Sequence, residues 1–172
     1  MTLFLIGYMG SGKSVIGKAL ADILNYEYLD FDNYIETKEQ STIKEIFETK
    51  GEIYFRKAEY NYLRDVLDLP KTVVSLGGGT PCYGNNMATI LEAKHSTSIY
   101  LKANIPTLSE RLFEEREKRP LISHVSTVKE LNEFIGKHLF ERAPYYEQSH
   151  ISVKTDNRSV EDLVKAILLQ LF

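Results

Sequence analysis

Two periodicities alternate along this 172-residue chain. Short apolar or β-branched runs read as strands: Leu3-Phe4-Leu5-Ile6, then residues 26–32, 71–76, 98–101 and 149–153. Between them, apolar residues return at the three- and four-residue spacing of one helix face. Val15, Ile16, Ala19, Leu20, Ile23 and Leu24 form the first stripe, and Phe55, Ala58, Tyr62, Val66 and Leu67 a later one. Further helices are predicted over residues 33–39 and 85–94, on Ile105, Leu108 and Leu112, and on Val128, Leu131, Phe134, Ile135 and Leu139. Val160, Leu163, Val164, Ile167, Leu168 and Leu171 mark the last. The boundaries carry their own chemistry. Thr42 with Glu45, and Thr127 with Glu130, form capping boxes, and Ser159 with Asp162 resembles an N-cap pair. Gly51 interrupts one helical pattern, Pro120 is read as a helix stop, and Pro144 as a bend or an end. Five strands alternating with helices predict one α/β domain: a three-layer α/β/α arrangement around a five-stranded parallel sheet.

The first strand runs into Gly7-Tyr8-Met9-Gly10-Ser11-Gly12-Lys13-Ser14, which fits G-x-x-x-x-G-K-[ST], and a helix follows directly. Strand, glycine loop and helix are the context a phosphate-binding loop requires. Glycines let successive backbone N–H groups turn inward around phosphate oxygens, and the helix N-terminus adds a positive dipole end. Lys13 can place a cation on the terminal phosphates, and Ser14 can offer a hydroxyl to Mg²⁺. Nucleotide binding is the function this stretch predicts.

The second strand ends in Asp30 and Asp32, which project to one side if the chain stays extended. Strand C-termini face the ligand crevice in an α/β sheet, so the pair is a candidate for function. Asp32 could instead simply cap the following helix. Arg56, read alone, is a surface or snorkelling arginine. Gly77, Gly78 and Gly79 follow the third strand; they allow either a flexible turn or the close approach of a ligand to the backbone. The charged stretch 114–119 leads into a polar segment reaching about residue 126, readable as a solvated face or as an arginine-bearing flap. Arg142, read alone, is a cation near a helix C-terminus.

Composition narrows the classes. A net charge of −3 leaves no electrostatic footprint for nucleic acid or an anionic membrane. No apolar run is long enough to span a bilayer, and the N-terminus lacks signal-peptide features, so a cytoplasmic protein is expected. The single cysteine, Cys82, excludes an intrachain disulfide and reads as a small buried filler. The four histidines show no metal-ligand spacing. No leftover apolar stripe argues for a dimer, and a monomer is expected.

Taken in order, these motifs resemble the shikimate kinase family across essentially the whole chain. The loop ends Gly10-Ser11-Gly12-Lys13-Ser14; Asp30-Phe31-Asp32 stands at the family's spacing behind it; Gly51-Glu52-Ile53-Tyr54-Phe55-Arg56 matches G-E-x-x-F-R. The triple glycine, Arg119-Pro120-Leu121 and the pair Arg142 and Tyr146 complete the series. Leu76 is a departure, standing where the family more commonly has a hydroxyl residue before the glycines.

The resemblance implies ATP-dependent phosphorylation of the 3-hydroxyl of shikimate, a carboxylate carrying three hydroxyls. It implies that Arg56 and Arg142 clamp the carboxylate, because a guanidinium fork suits a planar anion. Asp32 would accept hydrogen bonds from the substrate hydroxyls and take the proton of the attacking one. Gly77, Gly78 and Gly79 would line the acceptor pocket. Gly10, Ser11, Gly12, Lys13, Ser14 and Val15 would hold ATP, with Arg116, Arg119 and Arg158 beside it. Lys13 and Arg119 would neutralise the transferring phosphoryl group, and Ser14 and Asp30 would hold Mg²⁺. Residues 32–60 would form the substrate-binding helices and residues 114–126 a lid. Two competing readings are a related kinase of gluconate or a nucleoside monophosphate, and a nucleotide-dependent module without kinase activity.

Overall fold

The computed structural model describes residues 1–119 and 121–172. Five strands, β1 (Thr2–Ile6), β2 (Glu27–Asp30), β3 (Thr72–Ser75), β4 (Ser96–Lys102) and β5 (Ile151–Lys154), pair in the order β2-β3-β1-β4-β5. Every pairing is parallel. Among the described residues, seven α-helices connect and cover them: α1 (Lys13–Leu24), α2 (Phe31–Glu39), α3 (Ile43–Val66), α4 (Asn86–Glu92), α5 (Ile105–Phe113), α6 (Val128–Tyr146) and α7 (Val160–Leu171).

The central strand shows why its sequence is continuously apolar. All five residues of β1 are buried. Successive side chains alternate between faces: Leu3 and Leu5 join a core with Ile16 and Leu20 of α1 and Leu163 and Ile167 of α7. Phe4 and Ile6 join the opposite core with Phe31, Ile46, Leu63, Leu108, Leu131 and Tyr146. The sheet is therefore covered on both sides, as a parallel sheet requires. The three-layer architecture is the one the periodicities predict.

Both capping boxes form, at Thr42 with Glu45 and at Thr127 with Glu130, and the Ser159 side chain accepts from the Asp162 amide. Gly51 breaks α3, with φ 81° and ψ 170°, so the chain turns there between two helical segments. At Pro144 α6 does not break; it runs on to Tyr146. Pro120, expected to stop a helix, lies outside the described residues; α5 already ends at Phe113.

One expectation is corrected. Residues 26–32 do not stay extended: β2 stops at Asp30 and α2 begins at Phe31. Asp30, not Asp32, is the N-cap, its Oδ1 accepting from the Asn33 amide at 3.2 Å. The capping preference of a short acidic side chain ends the strand before the second carboxylate is reached. The 114–126 segment is also less uniformly polar than it reads, because Ile122 and Val125 are buried in the core on the α5–α6 side.

Register fixes the site. Leu5 and Asp30 both stand opposite Ser75, so the C-terminal ends of β1, β2 and β3 lie level. The loop after β1, the cap of α2 and the glycines after β3 therefore emerge at one edge of the sheet, where α/β folds place ligands.

Candidate active site

A cavity of about 560 Å³ opens at that edge. Its walls include residues 9–16 of the glycine loop and α1, Asp30 and Asp32, Ser75 to Gly78, Arg111, Glu115 and Arg119, and Arg158, Val160 and Leu163. The loop geometry depends on glycine. Gly12 is the N-cap of α1 with φ 96°, a left-handed conformation that other residues adopt at a cost. Lys13 folds back over the loop, donating to the carbonyls of Gly7 at 2.8 Å and Tyr8 at 3.0 Å. Burial pushes its ammonium down to about 8, against the opposing pull of Asp32 and Asp30.

Asp32 lies in the first turn of α2. Burial, then the neighbouring Asp30 and Glu59 carboxylates, push its carboxyl up to about 6, while Lys13 pulls it down. A carboxylate poised near neutrality beside a cation is suited to taking a proton from a hydroxyl. Its environment leaves no room for a side chain at Gly77, where a Cβ would lie 2.6 Å from Asp32 Oδ1.

The two arginines of the expected clamp do not line this cavity: they flank the glycines, and Arg56 lines a second cavity of about 550 Å³ together with Glu52, Tyr60 and Tyr83. A Cβ at Gly78 would meet Arg142 Nη1 at 3.6 Å, and one at Gly79 would meet Arg56 Nη1 at 3.5 Å. Tyr146, on the last turn of α6, donates its hydroxyl to the Gly78 carbonyl at 2.5 Å, tying that helix to the glycine strip. Burial pushes the Cys82 thiol, half-buried beside these groups, up to about 11, so it remains a neutral filler.

Two features escaped the sequence reading. Arg56 donates from Nη1 to Glu59 at 2.9 Å, and Glu59, 2% exposed, also accepts from the Thr80 hydroxyl at 2.7 Å. The guanidinium stacks on Tyr83, 3.5 Å from the ring centroid. The i, i+3 spacing of Arg56 and Glu59 was visible, but only burial separates this pair from a surface one. Arg111 also borders the cavity, its guanidinium held by the Gly10 carbonyl at 3.0 Å and the Thr155 carbonyl at 3.5 Å.

Lys13, Ser14, Val15, Asp30, Asp32, Arg119 and Arg158 thus share one cavity with the loop glycines and Gly77 and Gly78. Arg119 faces it while paired to Glu115 at 2.7 Å. Arg116 does not join them: it donates to the Phe113 carbonyl at 2.7 Å and stacks on the Phe113 ring. Among the described residues, no group of three or more His, Cys, Asp or Glu could hold a metal ion. A hydroxyl and a carboxylate, Ser14 and Asp30, do face one cavity with the phosphate loop, and that donor set fits Mg²⁺, which is held by few protein oxygens together with substrate phosphates.

Comparison with known proteins shows the family and the fold. Residues 9–172 match the family model described as shikimate kinase. A shikimate kinase of Flavobacterium johnsoniae is 45% identical over 167 residues, covering 96% of each chain. The crystal structure of shikimate kinase from Bacteroides thetaiotaomicron superposes with a TM-score of 0.90 at 34% identity, covering 99% of this chain and 98% of that one. The shikimate kinase of Acinetobacter baumannii, solved in complex with shikimate, gives a TM-score of 0.86 at 29% identity over 99% and 92% of the two chains.

Proposed function

The chain belongs to the shikimate kinase family, and we propose how its residues divide the work of transferring the terminal phosphoryl group of ATP to the 3-hydroxyl of shikimate. The observation that carries the reading is the arrangement along one sheet edge: a phosphate loop, then a carboxylate held near neutrality, then two arginines flanking backbone glycines. A phosphate donor and a hydroxy-carboxylate acceptor fit end to end in that order.

On the donor side, loop amides and the N-terminus of α1 cradle the phosphates, and Lys13 turns from the loop carbonyls to the terminal phosphate. Arg119 exchanges Glu115 for the phosphoryl oxygens, bringing positive charge to the transferring group. Arg111 and Arg158 line the same cleft, and the base and ribose would lie beside them. Ser14 and Asp30 would hold Mg²⁺, which neutralises phosphate charge when bound.

On the acceptor side, Arg56 and Arg142 take the carboxylate, Gly78 and Gly79 offer backbone amides, and Asp32 orients the attacking hydroxyl and accepts its proton. The segment 114–126 acts as a lid that excludes water. The single cysteine and the lack, among the described residues, of a helix long and apolar enough to cross a membrane support a cytoplasmic enzyme, and we take it to work as a monomer.

Coupled release of ADP from Mg-ATP, compared for shikimate, gluconate and nucleoside monophosphates, tests the acceptor. Strong stimulation by shikimate alone is expected. Preference for another acceptor would refute the assignment.

A further inference from the structure

Tyr8 belongs to the phosphate loop in sequence, but its side chain serves the other end of the site. It is 1% exposed and packs in the core with α6, whereas residues 9–16 wall the phosphate cavity. Its hydroxyl lies 3.0 Å from His138 Nδ1. Its ring lies beneath Arg142, with Cζ 5.7 Å from the centroid. His138 and Arg142 are four apart on α6 and so share a face. One residue therefore meets the donor-side lysine through its backbone carbonyl and the acceptor-side arginine through its ring.

The hydrogen bond suits neutral partners. Burial, and then the Arg142 cation, lower the pKa of His138; on its own helix Glu141 opposes this and Lys137 adds to it. Burial pushes the Tyr8 phenol up to about 12, so it keeps its proton and can donate to a neutral imidazole. The imidazole also packs against Phe134, at a centroid distance of 4.3 Å, and Phe134 meets His124 of the 114–126 segment at 6.0 Å. The histidine ring is thus fixed in place, and it fixes the phenol.

We propose that Tyr8 and His138 are a positioning pair that seats Arg142 against the phosphate loop, so that their hydrogen bond is felt in acceptor binding and not in nucleotide binding. The proposal rests on Arg142 meeting the acceptor carboxylate. An arginine side chain has many rotamers, and a ring held under its guanidinium narrows them before the anion arrives. Tyr8→Phe keeps the ring but lets it tilt, and leaves Nδ1 of the half-buried His138 without its donor.

The test is steady-state kinetics on Tyr8→Phe, His138→Leu, the double variant and His138→Asn, with thermal unfolding to confirm that each is folded. A net hydrogen bond corresponds to about a 3–10-fold change, so Tyr8→Phe and His138→Leu should each raise KM for shikimate by about that factor. KM for ATP and kcat should stay within about twofold. The double variant should be no worse than either single one, because both break the same bond. His138→Asn, whose Oδ1 stands near the position of Nδ1, should recover most of the loss. An unchanged shikimate KM in Tyr8→Phe, an equal rise in the ATP KM, or additive losses would overturn the proposal. Arg142→Lys separates the two layers. If it leaves the shikimate KM unchanged, the carboxylate clamp itself is wrong and the pair has nothing to position. If it raises that KM while Tyr8→Phe does not, the clamp stands and the positioning pair falls.

Discussion

Arg56 and Glu59 face each other one turn apart on α3, with Nη1 2.9 Å from Oε2, and the carboxylate is 2% exposed. A buried carboxylate with a cation on one side and the Thr80 hydroxyl on the other is a fixed anchor. It holds Arg56 where its remaining N–H groups can meet an incoming anion. Glu59→Gln keeps a hydrogen-bonding partner for Thr80 but removes the charge that orients the guanidinium. It should raise KM for shikimate several-fold, leave KM for ATP unchanged and cost about 1–3 kcal/mol in urea unfolding. An unaltered shikimate KM would show that Arg56 does not need this anchor.

Asp32 exchanges stability for chemistry. Its raised carboxyl means that folding favours the protonated form. That contribution is fully present below the ordinary value of 3.8 and is lost as pH rises through about 6. Asp32→Asn should therefore unfold at higher temperature than the wild type above pH 7, by the equivalent of about 1–3 kcal/mol. The advantage should fade on acidification and vanish below about pH 4. Turnover should fall at least about 100-fold at every pH, because the proton acceptor is gone. In the wild type, kcat/KM should drop as the free enzyme is acidified through about pH 6. A pH-independent stability difference would argue against burial as the origin of the shift.

Gly77→Ala tests how closely the glycine strip is fitted to that carboxylate. The new Cβ would lie 2.6 Å from Asp32 Oδ1, so the side chain must move. About 10–1000-fold loss of kcat is expected, in a protein that still folds and binds ATP, as for misplaced catalytic groups generally. Near-normal turnover would mean that the position of Asp32 is not critical.

Much of this was legible in the sequence, and the part that was not has physical causes. The sheet and helices follow from periodicity, and both capping boxes are local patterns that the chain completes by itself. The P-loop is a contiguous motif whose backbone conformation is written in its glycines. Asp30 and Asp32 were misjudged locally because an acidic residue both ends strands and caps helices, and two candidates stood two positions apart. Glu59 and Arg111 were missed because their significance lies in burial and in carbonyl partners that are distant along the chain: Gly10 and Arg111 are 101 residues apart. Arg116 was expected beside ATP and instead bonds to the Phe113 carbonyl, since a charge run gives no indication of which arginine turns toward the cleft.

The donor side offers its own test at Lys13. Replacing a buried ammonium whose pKa is pushed down to about 8 should not weaken the fold. Lys13→Met is expected to keep or raise the unfolding temperature near pH 7 and to lower kcat by about 100-fold or more. Unfolding of this variant would mean that the lysine's bonds to the Gly7 and Tyr8 carbonyls are needed to shape the loop.

Fate of the labelled γ-phosphoryl group is the most direct measurement of the central claim. With γ-labelled Mg-ATP and shikimate, the label should appear in a shikimate phosphate monoester at the rate of ADP release, with little in inorganic phosphate. Arg142→Ala should lose that transfer at low shikimate and regain part of it at high shikimate. Label released chiefly as inorganic phosphate, or transferred equally well by Arg142→Ala at low shikimate, would contradict the account.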